Sequence, residues 1–147
     1  MIGIKKFEEL SLQALYEVLA LRTDVFVVEQ NCPYPELDFH DQSCVHVLLR
    51  QESRLVGYAR VAPPGSVYQE LSIGRMVICK QNRGQGFGHQ VFAAAVKHAR
   101  LHFKGEAIKI QAQCYLEDFY QGFGFKSTSA PYPDYGVMHV DMLWQPG

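Results

Sequence analysis

The stretch Cys79–Val96, "CKQNRGQGFGHQVFAAAV", sets Gly84, Gly86 and Gly88 between an apolar, strand-like run and an alanine-rich, helix-like one. A strand that enters a helix through a glycine turn presents unbonded backbone N–H groups together with the positive end of the helix dipole, which is a geometry for binding phosphate. Glycines admit positive φ and a close approach of backbone to anion. Two familiar phosphate loops are excluded. A GK[ST] ending is absent, and the position about 20 residues beyond Gly84 is Lys104 rather than the acid of a dinucleotide site.

Working outward, Ser11 reads as the N-cap of an amphipathic helix carrying Leu12, Leu15, Tyr16, Leu19 and Phe26. The loop "NCPYPELDFHDQ" follows. "CVHVLLRQ" and "LVGYARVAP", separated by "ESR", read as a hairpin, and "LSIGRMVIC" as a further strand. After the glycine turn comes a helix with Val91, Phe92, Ala95, Val96, Ala99 and Phe103 on one side, then strand "AIKIQAQC", short helix "YLEDFYQGF" and last strand "VMHVDMLW". Nothing repeats and no linker intervenes. The expectation is one α/β domain over residues 1–147, a mixed sheet with helices on its faces.

Composition bounds the function. The 147 residues carry a net charge of −1 without a long basic run, which disfavours nucleic acid and anionic membranes as partners. No apolar run approaches the ~20 residues of a membrane span, and "MIGIKKFEEL" lacks the apolar core of a secretory signal, so a cytoplasmic location is expected. Cys32, Cys44, Cys79 and Cys114 nowhere form CxxC, which points to free thiols, three of them packed in strands. "ELDFHDQSCVH" brings together Asp38, His40, Asp41, Cys44 and His46, but at the spacing of no known site, and no metal is expected.

Arg83-Gly84-Gln85-Gly86-Phe87-Gly88 has the form R-x-x-G-x-G, and "FYQGFGF" about thirty residues on supplies an aromatic-Tyr-x-x-x-Gly-Phe segment. Together they resemble the GNAT superfamily of acetyl-CoA-dependent N-acetyltransferases. "LRTDVFVVEQNCPYPELDFHDQ", "GRMVI", "RGQGFG", "QAQCYLEDFYQGFGF" and "GVMHVDM" are similar, in order, to the motifs of its ElaA family, so the resemblance spans nearly the whole chain. It implies a GNAT-like, mostly antiparallel twisted sheet with helices on both faces.

It also implies roles. Met76, Val77 and Ile78 would line the pantetheine arm of acetyl-CoA with backbone groups. Arg83, Gly84, Gln85, Gly86, Phe87, Gly88 and His89 would hold its pyrophosphate, and Gln113 would stand where relatives often carry an asparagine. Tyr120 sits at the usual general acid, a role that suits a phenol protonated at neutral pH. The strand position that is glutamate in many relatives is Gly74 here, which leaves the base open among Glu29, Asp38, Asp41, His46 and His139. The acceptor, a primary amine of a small molecule or peptide, would meet Glu29, Asp38, Asp41, Arg75 and His139, with the loop carboxylates drawing it in as a cation. A homodimer is compatible with this reading. Two rivals stay open. One is a non-catalytic acetyl-CoA sensor, and the other an acyl-homoserine-lactone synthase, which "RTDVFVVEQ" resembles.

Overall fold

The computed structural model describes all 147 residues. In chain order the elements are β1 (Ile2–Lys6), α1 (Leu12–Thr23), β2 (Val45–Gln51), β3 (Arg54–Ala62), β4 (Leu71–Ile78), α2 (Phe87–His102), β5 (Ile108–Gln113), α3 (Glu117–Gln121), β6 (Lys126–Ser127), β7 (Tyr132–Asp134) and β8 (Val137–Trp144). The eight strands form one sheet in the order β1-β2-β3-β4-β5-β8-β6, with β7 also on β8. Every pairing is antiparallel except β4 with β5. That parallel contact is two residue pairs long, Leu71 with Ile108 and Ser72 with Lys109. Beyond Ser72 the ladder stops and the sheet opens along a seam.

Strand alternation sends side chains to two cores. Val47, Leu49, Val56, Ala59 and Val61 face α2, while Leu48, Tyr58 and Val77 face α1. Helix α2 buries Val91, Phe92, Ala95, Val96 and Ala99, the stripe that its sequence predicts. It lies so near the sheet that a Cβ at Gly57 would come within 2.8 Å of Ile78 Cδ1 and 3.0 Å of Val91 Cγ2. The mixed, mostly antiparallel sheet with helices on both faces is the architecture expected.

Helix α1 differs from its sequence reading in phase. Ser11 does cap it, its Oγ accepting from Ala14 N at 3.0 Å. Leu12 and Tyr16, however, are 87% and 76% exposed, and the buried face is Val18, Leu21, Arg22 and Val25. An arginine in the middle of the buried stripe disguised it. The helix then widens into a π-type turn over Asp24–Glu29. The four thiols are free, but none lies in a strand. Cys32 and Cys44 are buried in loops, and Cys79 and Cys114 follow the ends of β4 and β5.

Candidate active site

Two local irregularities build the site. The first is in β4, where Arg60 of β3 pairs with Gly74 but Tyr58 pairs with Val77, so two residues of β4 oppose one of β3. Arg75, inside this bulge, adopts a φ of +50°. A left-handed conformation at a non-glycine residue persists only where surroundings impose it. Here the Arg75 guanidinium is tied to Glu36 Oε2 at 2.7 Å and Asp38 Oδ2 at 3.4 Å, and lies 5.7 Å from the Tyr34 ring centroid. The bulge lies just past Ser72, where the ladder to β5 has ended, and beyond it β4 stays paired with β3 alone.

The second is the glycine turn. Gly84 and Gly86 have φ of +77° and +82°, and Gly86 is the N-cap of α2. Gln90 N, bonded to Gly86 O at 3.3 Å, is the first N–H of the helix to find a carbonyl. Those of Phe87, Gly88 and His89 precede it and remain free for an anion. Arg83 is not free. It grips Glu29 with two bonds of 2.6 and 2.9 Å and Ile78 O with a third of 3.1 Å. It therefore braces the turn against α1's end, and Glu29, expected to meet the acceptor, is its partner. The hydrogen bond from Arg83 is the main reason the Glu29 carboxyl is held below its ordinary range. His89 lays its ring on Phe123, 4.9 Å between centroids, so only its backbone faces the turn.

Between these features runs a cavity of about 500 Å³ that follows the seam from Gly84, Gly86 and Gly88 past Met76 and Ile78 to Gln113, Tyr120 and His139. Tyr120 is 7% exposed, packed edge-on against Phe92 and Phe119. Its hydroxyl nonetheless borders the cavity and takes no hydrogen bond from the protein, and burial raises its pKa, which keeps the phenol protonated. Gln113 accepts from Gln30 Nε2 at 3.3 Å, and across the ladder it pairs with His139. His139 Nδ1 lies 2.7 Å from Val137 O. A carbonyl only accepts, so Nδ1 carries a proton, and in the neutral ring the lone pair is then on Nε2.

The acid-rich loop is a different object from the one expected. Arg22 bonds Glu36 and Asp41, Arg60 bonds Asp41 and Asp38, and Arg75 bonds Asp38 and Glu36, which closes a ring of three arginines and three carboxylates. Neither Asp38 nor Asp41 lines the cavity. Burial alone would raise the pKa of each. The hydrogen bonds and charge of Arg60, with Arg75, outweigh it at Asp38 and hold that carboxyl well below the usual range. Arg22 and Arg60 do the same at Asp41. Such carboxylates are poor proton acceptors, and their charge is already neutralised, so they neither draw in a cation nor serve as the base. His46 is also outside the cavity, fully buried between the Tyr58 hydroxyl at 2.6 Å and Asp41 O at 2.9 Å.

Sequence reading missed the far wall of the cavity, made by Tyr34, Tyr68, Gln111, Asp134 and Tyr135. The signal was present in "PDYG". Tyr135 and Gly136, φ +50° and +80°, form a two-residue turn of the kind that joins antiparallel strands, and it pairs Asp134 with Val137.

Comparison with known proteins agrees with the geometry. Residues 9–146 match the acetyltransferase (GNAT) domain family. Protein ElaA of Escherichia coli is 35% identical over 136 residues, 91% of this chain and 89% of that protein. Its crystal structure superposes with a TM-score of 0.92 at 32% identity, covering 99% of each chain. An acyl-CoA N-acyltransferase from Pseudomonas aeruginosa gives a TM-score of 0.92 at 33% identity over 98% of both chains. A CoA-dependent acyl-homoserine lactone synthase, at 18% identity and a TM-score of 0.80 over 99% of this chain and 82% of that one, shares the fold.

Proposed function

Because this chain belongs to the GNAT acetyltransferase family, with ElaA among its relatives, and that family draws on acyl-CoA donors, we propose that it moves the acetyl group of acetyl-CoA directly to a primary amine of a small molecule or peptide. The observation that carries this reading is the seam. Strands β4 and β5 part after Ser72, unbonded N–H groups stand at one end of the opening, and a free phenol and a free imidazole nitrogen stand at the other.

The backbone of Gly84–His89 and the positive end of α2 suit a pyrophosphate. Met76 in the bulge and Ile78 beyond it, both past the end of the β4–β5 ladder, suit an amide-bearing arm, and Gln113 offers it a side-chain amide. The donor supplies the acyl group and departs as a thiol. His139 Nε2 takes a proton from the acceptor ammonium, which frees the nitrogen lone pair to bond the carbonyl carbon. As the carbon–sulfur bond breaks, the Tyr120 hydroxyl gives its proton to sulfur, and the surplus proton on the nitrogen passes to the phenolate, leaving a neutral amide, a free thiol and a restored Tyr120. In this scheme His139 does the work for which many relatives use the carboxylate that Gly74 lacks.

The test is thiol release from acetyl-CoA with a panel of primary amines, run beside calorimetric titration of the donor. Amine-dependent release supports transfer. Tight donor binding with no release on any amine would make the chain a sensor of acetyl-CoA.

A further inference from the structure

The charges on the cavity wall are nearly all spent. Arg60, Arg75 and Arg83 line it, and each is engaged by carboxylates at 2.6–2.9 Å. Of the two carboxylates that line it, Glu29 belongs to Arg83. The other, Asp134, has no lysine, arginine or histidine nitrogen within salt-bridge distance. It is held in place all the same. Gln111 Nε2 donates to Asp134 Oδ2 at 3.2 Å, and the Tyr68 hydroxyl donates to Gln111 Oε1 at 3.5 Å. Oδ1 is left without a protein partner. The carboxylate stands on the tight β7–β8 turn, opposite Val137 and so on the same face of the sheet as His139 two residues on.

We infer that Asp134 binds the positive charge of the acceptor, and that the acceptor is therefore an amine with no carboxylate beside the amino group. This rests on the transferase reading above. An uncompensated anion in a half-enclosed cavity attracts an ammonium ion and repels a carboxylate. A site for α-amino acids would need a free cation to receive the carboxylate, and every guanidinium here is already committed. The rings of Tyr34 and Tyr135, 5.4 Å apart, add an aromatic wall against which the carbon skeleton of an alkyl or arylalkyl amine can lie.

Two matched pairs isolate the carboxylate: 2-phenylethylamine against phenylalanine, and 3-methylbutylamine against leucine. With saturating acetyl-CoA, kcat/KM is expected to favour the first member of each pair by about tenfold or more, the ratio set by a modest charge contact. Asp134→Asn keeps an acceptor for Gln111 and should narrow the preference to within about threefold by weakening the amine, with donor affinity and melting temperature unchanged. Asp134→Glu should keep the preference. Turnover that favours the amino acids, or that is indifferent to Asp134→Asn, overturns the inference and leaves the transferase reading standing. If no amine is acetylated, titration of 2-phenylethylamine into the coenzyme A complex decides. Binding lost in Asp134→Asn would uphold the anchor while the transferase reading fails, and absence of binding would overturn both.

Discussion

Tyr120 shows how one side chain serves packing and chemistry at once. Its ring belongs to the core against Phe92, while its hydroxyl is unbonded and borders the cavity. Tyr120→Phe removes only that hydroxyl, so kcat should fall about 10²-fold or more with donor affinity and melting temperature little changed. A large loss of stability would assign it to the core alone. The arginine–carboxylate ring predicts the opposite pattern. Asp41→Asn leaves Arg22 and Arg60 short of a partner in a dry environment, and urea unfolding should show a loss on the order of 3 kcal/mol. Tyr120 was legible because its segment, "FYQGFGF", lies in one stretch of sequence. The ring was not, because its arginines come from α1, β3 and β4 and only folding brings them to the acidic loop. Read alone, that loop is a negative patch; paired, it is neutral structure.

At the level of elements, the glycine turn was the most legible feature, since a strand, alternating glycines and an alanine-rich helix are adjacent in sequence. Gly84 and Gly86 need their positive φ, whereas Gly88 is helical, and a Cβ there would make only an ordinary 3.8 Å contact with Ile78. Gly86→Asp places a strained residue and a negative charge beside the free N–H groups, so calorimetry should find donor affinity collapsed in a protein that still folds. Unchanged affinity would move the donor elsewhere. The β2–β3 hairpin was predicted, but not its strain. Glu52 and Ser53 take φ of +49° and +69°, a turn that favours Asn-Gly. Replacing them by Asn and Gly should stabilise the protein by about 1 kcal/mol, a rise in Tm of roughly 2–4 °C. The same type of turn at Tyr135-Gly136 escaped notice because β7 is three residues long and shows too little alternation to read.

For the molecule as a whole, the two-sided sheet carries a buried histidine whose titration should register in stability. His46 is enclosed by Tyr58, Asp41, Arg22 and Arg60, with Phe7 against its ring; burial lowers its pKa, with the two arginines acting the same way and Asp41 opposing. Above about pH 6.5 the ring is neutral folded and unfolded alike. Below it, the unfolded ring takes a proton that the folded one resists, so stability falls as pH drops, by at most about 1.4 kcal/mol per unit for this one group. The lowered carboxylates, Asp38 and Asp41, contribute only at more acid pH, where protonation in the unfolded chain begins. His98 shifts in the same direction as His46, so the expected result is a pH 7.5–5.5 melting series whose slope is reduced, not abolished, by His46→Gln.

The claim on which the rest depends is that an acyl-CoA occupies the seam. Amide hydrogen exchange, measured with and without saturating coenzyme A, tests it directly. Slowed exchange is expected at Arg83–His89 and at Met76–Ile78, with the β1–β2 edge unchanged. Tight binding that leaves those amides unprotected, or that protects another face of the sheet, would contradict it.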